Sequence, residues 1–593
     1  RAGRARTSFE LDADNVDEVA GICRRLDGIP LALELAAARI TVLSPRQILD
    51  RLDDRFALLT HGPQTQPVRH QTLRATMEWS HDLLSFEERT LLRRLSVFHG
   101  SFTLEAVEAI CADELLDRDA ILDLVGRLVD TSLLTVRGGE PVRYGMLDTV
   151  RHYALDRLGD TTEAASLQRR HAQYYAARAT LGEDDMFSED RAEHYQQLTS
   201  EEANLRVGLE WALHSGEADL LLRMTAALSL NWFVHNRLDE ASYWLPKALE
   251  GASPEPTAQR AEALYVLGMI YAISYRREEA HEVAQQLAAV AEALTDVEHA
   301  GEAIFIREIC AKTTGDLVEA RRLAEKQVRL LRRGDHPQAS FALVNAALLS
   351  VRLGDVASAS RFADEGEDRA MRFSQTQILA QFNGVRGYIA HHRGDLPEAE
   401  RLLSQVVGEL RRLGWIPVQT EYLGQLAAVG IAMGKLEQAE NWARDLGDVA
   451  DVLPEPEAKV ESQTLLARIA LLRHDTDAAR AMLHEALEIA TDTRNRLGVA
   501  LVLGVSAQVA WAVGDTERAT ILHGGAFRLQ QTTGYVLPVP RARELEREQA
   551  EIRTSLGQAA YQAAWGRGES MDQGELVEYT KNALALESLA PGR

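Results

Sequence analysis

A turn that recurs about every 40 residues is the feature that most constrains the fold of this 593-residue chain. Its form is Gly-Asp-x-x-x-Ala, with some substitution at the first two positions. Glycine can end a helix in the left-handed conformation, and the following Asp can cap the next helix. Each unit is therefore predicted to be a helical hairpin that must stack on its neighbours to bury its apolar face. The marker alanines are Ala241, Ala280, Ala320, Ala359, Ala399, Ala439, Ala479 and Ala519.

Two further positions within each unit support the hairpin. The residue twelve positions before the marker alanine is small in seven of the eight units, with Glu308 as the exception. The residue four positions after it is apolar in seven of eight, with His523 as the exception. Small side chains at facing positions let two helix backbones approach closely. The aromatic content of only 6% also favours helices over sheets.

The spacing of a small residue and an alanine resembles the tetratricopeptide repeat, whose usual unit is about 34 residues. The longer unit is similar to the tetratricopeptide subclass in the regulatory domain of the maltose-regulon activator and its relatives, over Tyr195 to Gly525. The predicted fold is therefore mainly α, with an α-solenoid of about eight 40-residue repeats at 161–540 and a helical cap at 541–593. An irregular helical bundle with accidental alanine spacing is the alternative.

The first 60 residues read as two helices separated by the sharp turn Gly28-Ile29-Pro30-Leu31, in which Pro30 is placed to begin the second helix. This turn and its flanks resemble the Gly-Leu-Pro-Leu segment of the NB-ARC family of signalling ATPases. The resemblance implies that residues 1–60 form the helical subdomain beside the nucleotide. Pro30 would then pack on the adenine of ADP or ATP, while Gly28 allows close backbone approach. A simple helix break is the alternative for this turn.

Residues 61–160 resemble the winged-helix subdomain of the same family. Arg69–Leu84 and Leu91–Phe98 look like its entry. Behind them the pattern predicts a helix and then two strands joined by a turn, which together make a helix and a wing. These three elements are expected at 124–130, 133–136 and 143–146.

Met146-Leu147-Asp148 stands where the NB-ARC family has Met-His-Asp, whose His senses the nucleotide phosphates. Leu147 has no hydrogen-bond donor in its side chain, so the sequence departs from the family at the sensing position. Met146, Leu147, Asp148 and Arg151 are therefore carried over as a nucleotide sensor or switch without that phosphate contact. Alternatively, Asp148 and Arg151 latch the winged helix to the repeats.

The charge of the chain argues against DNA binding by this winged helix. The whole chain has a formal charge of −24, and residues 1–160 hold 20 basic against 26 acidic side chains. The helix expected near Leu115–Asp130 is itself acidic and would meet phosphates unfavourably. We therefore predict that the winged helix is a switch element and that DNA is bound only through a module outside this chain.

Most motifs that carry chemistry are missing from the sequence. There is no Gly-x₄-Gly-Lys-Ser/Thr loop, no His-Glu-x-x-His and no Gly-x-Ser-x-Gly, so neither an enzyme nor a metal site is predicted. The three cysteines have no Cys-x-x-Cys spacing and are expected to be apolar fillers, and His391-His392 is expected to be solvated. No uncharged apolar run of about 18 residues occurs, which predicts a cytoplasmic protein without a membrane contact. The phosphate-binding half of an ATPase is expected to precede Arg1.

Together these features resemble the C-terminal part of a bacterial STAND-type ATPase transcription regulator of the LuxR, AfsR and MalT-like kind. The resemblance implies a two-state switch: nucleotide holds a closed state, and a small-molecule inducer or regulatory protein on the repeats favours opening and self-association. The alternative is a tetratricopeptide scaffold for protein partners with a degenerate nucleotide module, and a Walker loop upstream would distinguish the two. Candidate contacts on the first helices of the repeats are Trp232, Tyr271, Arg307 and Arg386, and the alternative is that several of them belong to the core.

Overall fold

The structure is a computed structural model that describes most of the chain. The described residues are 9, 11–12, 15–25, 33, 36–37, 39–50, 77–159, 161–180, 197–333, 335–412, 416–452 and 455–585. The chain divides into two compact units, Arg1–Leu228 with Gly251–Ser253, and Ser229–Glu250 with Pro254–Arg593. No helix in the described part of the chain is long and apolar enough to cross a membrane.

The first unit contains the winged helix and the helices on either side of it. Its first described helix ends at Arg25, just before the predicted Gly28–Leu31 turn, which lies outside the described residues. Ser85 begins the next helix with a capping box, because its hydroxyl accepts from the Glu88 amide while the Glu88 carboxylate accepts from the Ser85 amide. The helices are α1 (Val16–Arg25), α2 (Phe86–Arg94), α3 (Leu104–Cys111), α4 (Ile121–Asp130), α5 (Asp148–Gly159), α6 (Ala164–Thr180) and α7 (Glu202–His214).

A small antiparallel sheet forms the wing. Its strands are β1 (Ser101–Thr103), β2 (Thr135–Arg137) and β3 (Arg143–Gly145), in the order β1-β3-β2. Gly145 of β3 pairs with Ser101 on one side and Thr135 on the other. The two predicted strands are thus confirmed within one or two residues at each end. Strand β1 was not predicted, because a strand of three residues shows no alternation that can be recognised.

The second unit is built from the predicted helical hairpins, which extend from α8 to α23. Each hairpin pairs a first helix with a second helix, and together they give the α-solenoid that the repeat predicts. The helices are α8 (Ala218–Val234), α9 (Leu238–Gly251), α10 (Ala258–Ile273), α11 (Arg277–Leu294), α12 (Val297–Thr313), α13 (Leu317–Arg333), α14 (Ala339–Arg352), α15 (Val356–Arg372), α16 (Thr376–Arg393), α17 (Leu396–Arg412), α18 (Ile416–Ala432), α19 (Leu436–Val452), α20 (Pro456–Leu472), α21 (Thr476–Asp492), α22 (Arg496–Ala512) and α23 (Thr516–Thr533).

The turns inside the hairpins have the geometry that the repeat predicts. One residue in each turn has a positive φ. Where Asp follows this residue it can cap the second helix, as the Asp355, Asp475 and Asp515 carboxylates do by accepting from backbone amides. Where glycine is replaced, another residue adopts the strained conformation. The positive-φ residues are Asn236, Tyr275, Gly315, Gly354, Gly394, Gly434, His474 and Gly514.

The superhelix of hairpins closes on itself. The backbone amide of Arg496 donates to the Thr314 carbonyl at 3.3 Å, and the amide of Val536 donates to the Arg352 carbonyl at 2.8 Å. These pairs join residues about 180 positions apart. Gly315 lies so close to the Leu497 backbone that a Cβ at this position would be 2.7 Å from the Leu497 nitrogen. The first helices of the hairpins therefore enclose an interior.

Three further helices follow the last hairpin, in the region predicted to be a terminal cap: α24 (Val539–Leu556), α25 (Gln558–Ser570) and α26 (Gln573–Leu584). Helix α25 packs so closely on α23 that a Cβ at Gly568 would overlap the Ile521 carbonyl oxygen. The predicted fold class, mainly α with a winged helix and an α-solenoid, is thereby confirmed.

The cysteines differ in part from expectation, because Cys111 and Cys310 are buried but Cys23 is exposed.

Candidate functional site

The interior of the superhelix contains a cavity of about 310 Å³, which we call the acidic cavity. Its wall is formed by first helices of hairpins and the ends of their turns, from α8 to α22. A volume of this size lies at the lower end of the range for small-molecule sites. The carboxyl groups in its wall are Glu308, Glu421, Glu455, Glu457 and Glu461.

Glu421 is the centre of a buried ion network in this wall. Its carboxylate accepts from Lys312 Nζ at 3.1 Å, from Arg352 Nη2, and from the Tyr388 hydroxyl at 2.8 Å. Burial would raise the pKa of Glu421, but the charges of Arg352 and Lys312 outweigh it and lower the pKa to about 2. Glu421 is therefore ionised at neutral pH and holds both cations in place.

The other four carboxyl groups have no cation at ion-pair distance among the described residues, although Glu455 has the Thr420 hydroxyl and Glu457 the Tyr275 hydroxyl as a hydrogen-bond partner. Within the described part of the chain, no lysine, arginine or histidine nitrogen lies within 4.0 Å of their oxygens. Burial raises the pKa of Glu308 to about 8, against the opposing charge of Lys312, and raises the pKa values of Glu455 and Glu461 to about 7. Burial also raises the pKa of Glu457. These groups bind protons, or another cation, much more readily than a solvated glutamate does.

Aromatic and aliphatic side chains form the rest of the acidic cavity. Phe233, Phe305 and Phe341 line it, and the last two rings meet edge to face with centroids 5.3 Å apart. Glu461 lies against helix α18 at Gly424, where an added Cβ would overlap the Glu461 carboxylate. The glycine is therefore needed to keep this carboxyl group in the wall.

A second cavity of about 140 Å³ shares Glu461 and Leu501 with the acidic cavity in its wall. It is lined by Arg468, whose Nη2 donates to Glu544 Oε2 at 3.0 Å. Burial, together with the nearby Arg541, lowers the pKa of Arg468 to about 10. His523 lies 3.0 Å from Glu548 Oε1, so it too has a polar partner.

A cluster of buried hydrogen bonds fastens the wing to helix α7 within the first unit. Arg143 of β3 donates to Glu201 Oε1 at 2.7 Å and to Ser101 Oγ at 2.8 Å. Asn204 accepts from the His99 amide at 2.8 Å and donates to the Ser101 carbonyl at 2.9 Å. We call this cluster the wing latch. It fixes the winged helix to the helices that follow it.

Two buried groups strengthen the same region. Arg94 is almost fully buried, where it pairs with Glu163 and Asp113 at 2.7 Å each and donates to the Cys111 carbonyl. His171 lies 3.4 Å from Asn204 Oδ1, and burial lowers the pKa of His171 to about 4. His171 is therefore neutral at physiological pH.

The nucleotide residues predicted from the sequence are only partly described. Gly28, Ile29, Pro30 and Leu31 lie outside the described residues. Met146, Leu147, Asp148 and Arg151 lie at the end of the wing and the start of α5.

In this second group Leu147 is exposed, and the Asp148 side chain is 88% exposed with Arg151 3.7 Å away on the same helix. Within the first unit the wing is fastened to α7 by Arg143, Glu201 and Asn204. A latch from Asp148 and Arg151 to the repeats stays a prediction.

The four predicted contacts on the repeats lie in different surroundings, and partner binding by them stays a prediction. Trp232 is only 4% exposed, so its ring belongs to the core and offers little surface to a partner. Tyr271 is covered in part by the Arg276 guanidinium, 4.1 Å from its ring centre. Arg386 pairs with Asp364 at 3.1 Å and with Glu367 of α15, and Arg307 is partly buried. Neither cavity has any of these four in its wall.

The residues of the acidic cavity were missed by the sequence analysis, although one signal was present. Glu308 and His523 are the two exceptions to the small and apolar positions of the repeat, and each lines a cavity. An ionisable residue at a packing position of a repeat indicates that its side chain does not serve helix packing there. His391 and His392 were expected to be solvated but are buried, because the enclosed interior covers the end of α16.

Comparison with known proteins agrees with this architecture. The pattern of the winged helix-turn-helix domain matches residues 84–159. A Mycobacterium tuberculosis protein, "Putative HTH-type transcriptional regulator Rv0890c", is 28% identical over 98% of this chain and 75% of its own length. A second protein of that species, "Uncharacterized protein Rv0894", is 43% identical over 29% of this chain and 45% of its own length.

Among solved structures, the chain is similar to a STAND protein with a tetratricopeptide repeat sensor from Pyrococcus horikoshii. The identity is 14% and the TM-score 0.43, over 79% of this chain and 75% of the other.

The described residues thus define a protein with a winged helix-turn-helix domain and a closed superhelix of helical hairpins. The MalT-like TPR region matches residues 223–539, more than half of the chain. The chain therefore belongs to the family of proteins with a MalT-like TPR region, and the resemblance found in the sequence is confirmed. Its similarity over nearly its whole length is to a transcription regulator, and its repeats are of a kind that binds proteins or ligands.

Proposed function

We propose that this chain is the sensor and switch region of a transcription regulator, in which a small molecule bound in the acidic cavity is coupled to a nucleotide-controlled change of state. The observation that supports this most strongly is the cavity itself. A solenoid that only displays a surface to protein partners has no need of an interior cavity with five carboxyl groups and two cations in its wall. Polar groups are costly to bury, so they are retained where they bind something.

The winged helix supports the switch part of the proposal. The wing latch and the buried Arg94 pairs connect the winged helix to helices α6 and α7. Elements connected in this way can move together when the state of the protein changes. Because its charge is unfavourable for DNA, we assign it to signal transmission and assign DNA binding to a module outside this chain.

The nucleotide part of the proposal concerns ADP or ATP. Bound nucleotide would supply the energy difference between the two states, and Pro30 and Gly28 would hold its adenine end. Leu147 is exposed and carries no polar atom, so the described residues at this position fit an apolar neighbour rather than a phosphate. We propose a binding rather than a catalytic role for this region, in a cytoplasmic protein that self-associates in the open state.

A thermal-shift screen tests the sensor role. The purified protein is heated with separate panels of neutral sugars, amino acids, nucleosides and aliphatic amines. We expect one panel to raise the melting temperature of the wild type, because a ligand that binds only the folded state stabilises it. Leu501→Trp, which places an indole in the wall shared by both cavities, should abolish the shift.

Leu472→Trp is the matched control. Leu472 is exposed at the end of helix α20, so the same substitution there should leave the ligand shift unchanged. Circular dichroism at 222 nm checks that both variants fold. The proposal would be wrong if no panel shifted the wild type, or if the shift survived in Leu501→Trp.

The nucleotide role has a separate test. ADP affinity of the natural full-length polypeptide is measured by titration calorimetry for the wild type and for Pro30→Ala. Loss of the proline ring against adenine should weaken binding by roughly tenfold, which corresponds to about 1.4 kcal/mol. An unchanged affinity would remove Pro30 from the nucleotide site.

A further inference from the structure

The acidic cavity has more carboxyl groups than its own cations can neutralise. Its two cations, Lys312 and Arg352, both contact Glu421. Four carboxyl groups are then left in the same wall without a cation at ion-pair distance among the described residues, namely Glu308, Glu455, Glu457 and Glu461. A buried carboxylate without a counter-charge is unfavourable, so these groups must take up protons or a positively charged ligand.

Glu308 gives the strongest indication of a ligand. Its side chain is only 3% exposed and lines the cavity, yet no hydrogen-bond donor in the described part of the chain reaches its Oε2. The Oε1 atom of Glu457, across the cavity on helix α20, is in the same situation. Buried oxygens that lack donors inside a cavity indicate that a donor comes from outside the chain.

The residues of the wall indicate which kind of cation it fits. No group of three or more His, Cys, Asp and Glu within the described ranges is arranged to hold a metal ion. Phe233, Phe305 and Phe341 line the cavity, and the face of an aromatic ring attracts ammonium groups; Ile309 and Leu348 add apolar surface to the same wall. Ammonium groups joined by methylenes therefore match the wall in both charge and polarity.

The volume limits the size of such a ligand. A cavity of about 310 Å³ has room for roughly ten water molecules, since each occupies about 30 Å³ in the liquid. A ligand of about ten non-hydrogen atoms or fewer therefore fits. Resting on the proposed sensor function, we infer that the ligand of the acidic cavity is a small aliphatic polyamine with two or three ammonium groups, bound between Glu308 and the carboxyl groups of α20.

Titration calorimetry with 1,4-diaminobutane and with spermidine tests the inference. We expect binding by the wild type, and 1,4-butanediol, which has the same length without charge, should bind about 10- to 100-fold more weakly. The heat should also depend on the ionisation enthalpy of the buffer at pH 7. An ammonium group stabilises the ionised glutamates and so releases protons from groups whose pKa values lie near 7 and 8.

Substitutions locate the binding groups. Glu308→Gln and Glu457→Gln should each weaken 1,4-diaminobutane binding about 10- to 100-fold, because each removes a charge-assisted hydrogen bond. Glu398→Gln is the matched control: Glu398 lies on the second helix α17, where it pairs with the exposed Arg401. It should leave the affinity unchanged. The wild-type comparison of diamine with diol stands even where a variant does not fold.

The possible outcomes separate this inference from the sensor function. Equal affinity for diamine and diol, or unchanged affinity in Glu308→Gln, would overturn the polyamine assignment. The thermal-shift screen can also overturn it. If sugars or nucleosides, but not amines, raise the melting temperature of the wild type and do not raise that of Leu501→Trp, the polyamine assignment is wrong and the sensor function still stands.

Discussion

Glu421 holds Lys312 and Arg352 in the wall of the acidic cavity, so Glu421→Gln tests how much that network stabilises the superhelix. Removing one partner of a buried ion pair typically costs about 3–5 kcal/mol. Glu421 is 15% exposed and Lys312 37%, so some solvent remains to screen the cations, and the value should fall near the lower limit. We expect a loss of about 3 kcal/mol of local stability, or roughly 150-fold in the opening equilibrium.

Native-state hydrogen exchange is the suitable assay, because long repeat arrays do not unfold in two states and local opening is measured directly. Exchange should become faster in α16 and α18, which hold Tyr388 and Glu421. Glu398→Gln, which breaks an exposed ion pair, should change exchange by less than about 1 kcal/mol. Less than a tenfold effect in Glu421→Gln, or an effect equal to that of the control, would refute the reasoning.

The same network has a defined pH dependence. The pKa of Glu421 is about 2 in the folded protein, below its ordinary value of 4.5. Its stabilising contribution is therefore complete above about pH 4.5 and is lost as the pH falls from 4.5 towards 2. In Glu421→Gln this part of the acid dependence should be absent.

Three other outcomes are expected. Gly568→Ala should destabilise the contact between α23 and α25 by about 1–3 kcal/mol in thermal unfolding. Gly566→Ala on the same helix has open space around it and should stabilise the protein by about 0.5–1 kcal/mol. Similar effects of the two substitutions would contradict the close packing. Arg143→Ala should speed exchange at the start of α7, because Glu201 loses its buried partner, and no change there would show that the wing latch is dispensable. The stability of α6 should fall as the pH drops from 6.5 to about 4 and then become constant, because His171 binds its proton at a higher pH in the unfolded chain than in the folded protein. His171→Gln should remove this pH dependence. A pH dependence that persists in the variant would show that another group causes it.

Local features of this fold follow from local sequence. The 40-residue period sets the hairpins, since the left-handed turn residue and its following cap are decided by neighbours within a few positions. Even where glycine is missing, as at Asn236 and His474, the turn keeps its positive φ, because the period of the packed helices imposes it. The wing strands were likewise visible as short apolar runs around a Gly-Gly turn, whereas β1 was too short to show.

The candidate site could not be read in the same way. Glu308 and Lys312 lie on the third hairpin, Arg352 ends the first helix of the fourth, and Glu421 lies on the sixth. Their contacts cross more than 60 residues, and nothing in the spacing of the repeat indicates them. The one indication in the sequence was that Glu308 stands where the other repeats have a small residue. The sequence does not show which residues Glu308 contacts.

The sequence by itself therefore determined the unit of this protein: two helices, a capped turn, and the need to stack. Only the tertiary structure decided how far the stack curves, because curvature is the sum of small rotations between neighbouring hairpins, each set by side-chain packing. That curvature brings Arg496 back to Thr314 and closes the interior. Closure removes water from the carboxyl groups inside, and this burial, rather than their position in the sequence, makes them a candidate binding site.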